Sequence, residues 1–118
     1  MANTRESESV HSVRREGDAT VATIRGEIDL HNSPQLRGRL LDFIELHKPT
    51  KLVLNLGEVP YMDSSAIAVL VEALQKMRKA GGKIFLTNLQ PRVKGLLEIA
   101  RLDTIFVIAK DEGEALGR

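Results

Sequence analysis

The sequence predicts an α/β fold in which one domain is built on a mixed, mostly parallel β-sheet. The chain has 118 residues, which suits one domain with its own core. Short apolar runs alternate with longer segments of helical periodicity, and this alternation favours parallel strands joined by crossover helices. Two strand-like runs near the start are separated only by Glu16-Gly17-Asp18, which favours an antiparallel hairpin. The sheet is therefore expected to be mixed.

The predicted elements follow the order β-β-α-β-α-β-α-β, with a possible helix at the C-terminal end. Residues 1–8 are expected to be a polar tail, and residues 9–118 the domain. The strands are expected at 10–15, 19–28, 51–56, 83–88 and 104–109. The helices are expected at 33–47, 63–80 and 90–100, with the short terminal helix within 111–118.

The first helix is predicted from its start signals and its apolar spacing. Ser33 can cap it, and Pro34 suits the first helical position because its missing N–H would be unpaired there. The residues that recur at helical spacing are Leu36, Leu40, Phe43, Ile44 and His47. The run "KLVLNL" that follows is almost continuously apolar, which is typical of a strand covered on both faces of a parallel sheet.

The second helix has an expected N-cap at Asp63 or Ser64 and an expected stop at Gly81-Gly82. Core spacing marks one face, made of Ile67, Leu70, Val71, Leu74 and Met77. A second face at the same spacing carries Ser65, Ala68, Glu72, Gln75 and Lys79. In the third helix Pro91 lies at the start, and Asp111 is the expected cap of the terminal helix.

Composition argues against several kinds of function. Lys+Arg is 17 and Asp+Glu is 16, so the net charge of +1 gives no electrostatic argument for nucleic acid or an anionic membrane as a partner. There is no Cys, and the three His lack metal-ligand spacing, so no disulfide framework, metal site or cofactor is expected. The polar start lacks the apolar segment of a signal peptide, and no apolar run is long enough to span a membrane. A soluble, cytoplasmic protein is expected.

The triplet Asp63-Ser64-Ser65 stands directly before the longest apolar run of the chain. Its commonest meaning is a helix cap. Ser64 would then lie at or in the first turn, where unpaired N–H groups and the positive end of the helix dipole tolerate a phosphate. The triplet therefore has two compatible interpretations: a cap alone, or a cap that also carries a regulatory hydroxyl.

Three segments, in their order along the chain, resemble one family. They are "RGEIDLHNSPQLRGRL", "LVLNLGEVPYMDSSAIAVLVEAL" and "KAGGKIFLTNLQPRVKGLLEIARLDTIF". Together they resemble a STAS domain, specifically the stand-alone bacterial anti-sigma factor antagonists. The resemblance extends from about Val10 to Ile108, and its most specific parts are 26–29 and 63–65. The chain departs from the family pattern at Ala66 and Ala68, where Gly is common, and at Asn55, where Asp is common.

The resemblance implies a regulatory protein and not an enzyme. A partner anti-sigma factor of the GHKL ATPase class would bind near the Asp-Ser-Ser loop and act as a kinase on Ser64. Phosphorylation would release that partner to capture its sigma factor, and a metal-dependent serine phosphatase would reverse the modification. The free protein is expected to be a monomer. The expected partner contacts are Asp29, His31, Met62, Asp63, Ser64, Ser65, Ala68 and Glu72.

Three other functions compete with this interpretation. A STAS domain that is not phosphorylated can serve as an assembly module, in a signalling scaffold or a transporter-regulating complex. A serine hydrolase is disfavoured because Asp63-Ser64-Ser65-Ala66 is not a G-x-S-x-G elbow, and no glycine-rich phosphate loop occurs. A phosphoacceptor receiver is disfavoured because Asn55, and not Asp, ends the central strand.

Overall fold

The computed structural model describes residues 9–118, so the predicted polar tail at 1–8 lies outside the described residues. The strands are β1 (Val10–Glu16), β2 (Ala19–Arg25), β3 (Lys51–Glu58), β4 (Lys83–Thr87) and β5 (Val107–Ala109). The helices are α1 (Ser33–His47), α2 (Ser64–Lys79), α3 (Pro91–Ile99) and α4 (Glu112–Leu116), with a 3₁₀ turn at Leu102–Thr104. The predicted element order is confirmed, including the terminal helix.

The five strands form one sheet in the order β1-β2-β3-β4-β5. The pair β1-β2 is antiparallel, and the other neighbouring pairs are parallel. Alternate residues of β3 enter two separate clusters: Leu52 and Leu54 join the large core with α1, α2 and α3, and Val53 joins a smaller core with Ala115 of α4. The predicted mixed sheet, with a central strand covered on both faces, is confirmed.

Helix α2 packs on the sheet through a face that includes small residues. Its buried residues are Ala66, Val69, Leu70, Ala73, Leu74 and Met77. The predicted core members Ile67 and Val71 are only partly buried, at the margin of that face. Alanines at the centre of the contact let the helix axis approach the sheet closely, which a pattern of large apolar residues does not indicate. The prediction is therefore correct for Leu70, Leu74 and Met77. The buried face as a whole is rotated around the helix axis, away from Ile67 and Val71.

One predicted cap and two predicted strand ends are wrong. The second strand ends at Arg25 and not at residue 28, because Gly26 turns the chain with a φ of 86°. Asn32, not Ser33, is the N-cap of α1, so Ser33 is the first helical residue and is buried, and Pro34 comes second. The last strand begins at Val107 and not at Thr104, because the chain turns through a 3₁₀ segment before it joins the sheet. At the other caps, Asp63 (predicted as Asp63 or Ser64) accepts the N–H groups of Ser65 and Ala66, and Asp111 accepts the N–H of Glu114, as predicted.

Two glycines follow α2, and each position favours glycine for a different physical reason. Gly81 has a φ of 78°, a left-handed conformation that glycine adopts without a steric penalty. Gly82 lies against the preceding strand connection, where an added Cβ would be 3.1 Å from the carbonyl oxygens of Pro49 and Thr50. The pair therefore ends the helix and also lets β4 enter the sheet beside β3.

Within residues 9–118, none of the helices combines the length and the apolar character that crossing a bilayer requires.

Candidate functional site

Two loops meet at the carboxyl ends of β2 and β3. The β2–α1 loop (residues 26–32) and the β3–α2 loop (residues 59–63) continue the parallel pairing of their strands through a bridge between Ile28 and Met62. The N–H of Ile28 donates to the carbonyl of Tyr61 at 3.1 Å, and the N–H of Asp63 donates to the carbonyl of Ile28 at 3.0 Å. The start of α2 is therefore held against the β2–α1 loop by main-chain bonds.

Asp63 is the N-cap of α2 and also joins the helix to the neighbouring loop. Its Oδ1 accepts hydrogen bonds from the N–H groups of Ser65 (2.9 Å) and Ala66 (3.3 Å) and from the Ser65 hydroxyl (2.5 Å). Its Oδ2 accepts the N–H of Leu30 at 3.1 Å. These bonds, led by the one from the Ser65 hydroxyl, hold the pKa of the Asp63 carboxyl below its usual value.

Replacing Asp63 with asparagine should remove an acid-sensitive part of the stability. Because the pKa of Asp63 is lower in the folded chain, its carboxylate stabilises the fold above its ordinary pKa of 3.8, and this stabilisation is lost as the pH falls through the folded pKa. Asparagine can cap the helix, but its amide nitrogen cannot accept the N–H of Leu30. Urea unfolding should give wild type an advantage of roughly 1 kcal/mol at neutral pH that shrinks below about pH 4. An advantage independent of pH would contradict this role of the charge.

Side-chain hydrogen bonds fix the backbone of the β2–α1 loop. Asp29 Oδ1 accepts the N–H of His31 at 2.9 Å, and Asn32 Oδ1 accepts the N–H of Asp29 at 2.9 Å. Asn32 also donates through Nδ2 to the carbonyl of Glu27 at 2.9 Å. Asp29 is half-buried and His31 is exposed. Both residues lie on the loop bonded to Asp63, as expected from their position after the second strand.

Leu30 belongs to this site, although sequence reasoning missed it. Its side chain is 74% exposed, while its N–H is held by Asp63. Because this exposed apolar side chain stands beside the start of α2, it is a candidate contact for a protein partner. The available signal was a single leucine within the polar turn "DLHN".

The exposed side of α2 carries the other predicted contacts. Ser64 is the first residue of the helix and is exposed, as is Ala68 one turn later, and Ser65 and Glu72 are half-buried. Glu72 forms a two-bond ion pair with Arg37 of α1, at 2.7 and 2.6 Å. The Arg37 guanidinium lowers the pKa of the Glu72 carboxyl. We call the set Asp29, Leu30, His31, Asp63, Ser64, Ser65, Ala68 and Glu72 the Ser64 surface.

Met62, which was predicted as a partner contact, lies beneath this surface and not on it. Its side chain is 2% exposed and lies in the large core. The bridge to Ile28 continues the sheet through this residue, and an extended backbone there turns the side chain inward. The Met62 side chain therefore packs in the core beneath the β3–α2 loop and is inaccessible to a partner in this conformation.

Neighbouring contacts fix the approach to the β3–α2 loop. Asn55 Oδ1 accepts the N–H of Gly57 at 2.8 Å, and Asn55 Nδ2 donates to Glu112 of α4 at 2.5 Å. Only an amide can make both bonds, which gives a physical reason for Asn at the strand end in this chain. The half-buried Tyr61 lies under the guanidinium of Arg92, 4.9 Å from the ring centroid. The end of β3 is therefore anchored to α4, and the β3–α2 loop that follows it is anchored to α3.

The site contains no grouped metal ligands in the part of the chain that the structure describes, 9–118. Its chemistry is that of one exposed hydroxyl at a helix N-terminus, beside an apolar side chain and a small residue. Such an arrangement can accept a covalent group and can be covered by another protein.

Comparison with known proteins gives consistent results. Residues 11–115 match the STAS domain model. The anti-sigma-B factor antagonist of Bacillus subtilis (strain 168) is 37% identical over 101 residues, which are 85% of this chain and 90% of that protein.

Solved structures share the fold. The anti-sigma factor antagonist from Mycobacterium paratuberculosis superposes with a TM-score of 0.81 at 23% identity, covering 90% of this chain and 89% of that one. The Bacillus cell fate determinant SpoIIAA in the phosphorylated form superposes with a TM-score of 0.69 at 22% identity, covering 91% and 96% of the two chains. The family match and the close sequence relative agree with this fold, and the chain belongs to the STAS domain family.

Proposed function

We propose that this protein is an anti-sigma factor antagonist that binds its anti-sigma factor when Ser64 is unmodified and releases it when Ser64 is phosphorylated. The observation that carries the proposal is the exposed Ser64 at the first position of α2, directly after the Asp63 cap. The 37% identity to the Bacillus subtilis anti-sigma-B factor antagonist supports the same role. SpoIIAA, which shares the fold, has been determined in a phosphorylated form.

A phosphate at Ser64 acts through local charge. It adds about −1.5 to −2 charges at neutral pH, which the helix N-terminus favours by about 0.3–1 kcal/mol. In an interface that covers Ser64, the same charge loses its water and costs several kcal/mol unless the partner supplies a counter-charge. A change of about 5.5 kcal/mol moves a two-state equilibrium from 1:99 to 99:1. The cost of burying one phosphate is of this order, so a single phosphate can switch the partner from bound to released.

The proposed partner is an anti-sigma factor of the GHKL ATPase class that also phosphorylates Ser64, and a serine phosphatase removes the phosphate. This protein is the substrate of both enzymes and catalyses neither step. It acts as a monomer in the cytoplasm, and its contact area is the Ser64 surface. The exposed Leu30 supplies an apolar contact there, and the small Ala68 allows close approach of the partner.

The test uses three baits: wild type, Ser64→Ala and Ser64→Asp. Each is passed through lysate of the source cell, and bound proteins are identified by mass spectrometry. A GHKL-class ATPase should be held by wild type and Ser64→Ala and be reduced at least about tenfold on Ser64→Asp, because aspartate adds a charge where the interface removes water. Incubation of that ATPase with ATP and wild type should place a phosphate on Ser64, and on Ser64→Ala no phosphate should appear.

The matched control is Ser12→Asp, which adds the same charge at an exposed position of β1 that is not part of the Ser64 surface. It should retain the partner. If one partner binds Ser64→Ala and Ser64→Asp equally, or if a transporter is recovered in place of the ATPase, the triplet is a cap and the domain is an assembly module.

A further inference from the structure

A basic groove lies between α1 and α2, at the end of α2 that is remote from Ser64. Its volume is about 740 Å³, and its polar lining is Arg37, Glu72, Gln75, Lys76, Arg78 and Lys79. Four of these side chains are basic and one is acidic, in a chain whose net charge is only +1. The groove therefore concentrates positive charge that the sequence as a whole does not show.

Internal contacts leave much of this positive charge available. Arg37 pairs with Glu72, and Lys76 pairs with Glu45 at 2.7 Å on the rim. Arg78 donates to the carbonyl oxygen of Ile105 at 3.3 Å. This acceptor is neutral, so the guanidinium of Arg78 keeps its full positive charge. Lys79 is exposed and has no ion pair within residues 9–118. Two of the four basic side chains, Arg78 and Lys79, therefore keep a charge that no carboxylate in the described part of the chain balances, and such a charge is complementary to an acidic segment of a partner.

The groove is continuous with the Ser64 surface because Glu72 belongs to both. Along α2, at a rise of about 1.5 Å per residue, Glu72 is about 6 Å from Ala68 and Lys79 is about 16 Å from it. A standard protein interface covers about 800 Å² of each partner, which as a disc has a radius of about 16 Å. A partner centred on Ala68 would therefore reach the groove.

We propose that the groove binds an acidic segment of the same anti-sigma factor, so that this partner contacts α2 along its whole length. This inference rests on the proposed function, since it takes its partner from there. In this arrangement the two ends of α2 have different tasks. The Ser64 end carries the charge that releases the partner, and the groove end orients the partner and accelerates association through complementary charge.

The test is Lys79→Glu, with Lys94→Glu as its matched control. Both lysines are exposed, but Lys94 lies on α3 and outside the groove. The ligand is the anti-sigma factor purified on the Ser64→Ala bait, titrated calorimetrically at about 50 mM and about 300 mM salt. Lys79→Glu should raise Kd roughly tenfold at low salt and less at high salt, whereas Lys94→Glu should stay within about twofold of wild type.

The groove proposal is overturned if Lys79→Glu binds like wild type or if Lys94→Glu weakens binding equally. A thermal melt of each variant checks that the fold is intact. Both lysines are exposed, so we expect both variants to melt near the wild-type temperature. Ser64→Asp is titrated beside them. Loss of binding by Ser64→Asp with an unchanged Lys79→Glu overturns only the groove, whereas an unchanged Ser64→Asp overturns the phosphate switch while Lys79→Glu still reports on the groove.

Discussion

Ala68→Arg is expected to weaken binding of the anti-sigma factor by about a hundredfold or more, while the melting temperature stays within a degree or two of wild type. Ala68 is exposed one turn after Ser64, at the centre of the Ser64 surface, so a guanidinium there would hold the partner away. Arginine is a good helix former and would extend into water in the free protein, so the fold should tolerate it. Calorimetric titration and a thermal melt measure the two effects separately.

The matched control for this variant is Ala68→Ser, which keeps the residue small. Its affinity should stay within about threefold of wild type, because little volume is added to the contact. A parallel loss of affinity and melting temperature in Ala68→Arg would indicate a damaged helix and not a blocked interface. An unchanged affinity would place the partner on another face of the protein.

Met62→Ala is expected to lower the free energy of unfolding by about 2–5 kcal/mol, a large part of the 5–15 kcal/mol typical of a domain. Met62 is 2% exposed among core residues, so truncation removes apolar contacts and leaves a cavity beneath the β3–α2 loop. Urea unfolding measures the loss.

The matched control is Met62→Leu, which nearly conserves volume and should cost less than about 1.5 kcal/mol. Affinity for the partner, measured where each variant is folded, should change little in the leucine variant. If Met62→Ala weakened binding strongly while its unfolding free energy remained close to wild type, Met62 would be a partner contact after all.

Most of the fold could be predicted because its signals are local. The hairpin, the alternating strands and helices and the caps at Asp63 and Asp111 all follow from short stretches of sequence. The error at the last strand has a non-local cause. The run 104–109 has strong strand propensity throughout, but only Val107–Ala109 lies beside β4, and the chain before it turns through the 3₁₀ segment.

The candidate site was predictable where the helix pattern defines it and not where two loops meet. The cap at Asp63 and the exposure of Ser64 and Ala68 follow from helical spacing. The burial of Met62 and the presentation of Leu30 depend on bonds between the two loops, and nothing in either loop alone encodes them. The basic groove is likewise formed by two helices, so its charge is diluted in any count made along the chain.

The attachment of Asp63 to two elements bears on how an enzyme could recognise Ser64. The first turn of α2 exists only with a cap that also holds Leu30, on a loop more than thirty residues away in sequence. A short peptide around Ser64 would lack that support and would rarely be helical in water. If Ser64 is phosphorylated as proposed, we expect the kinase to recognise the folded surface around Ser64 and not a linear consensus motif. Unrelated serines in similar sequence contexts would then escape modification.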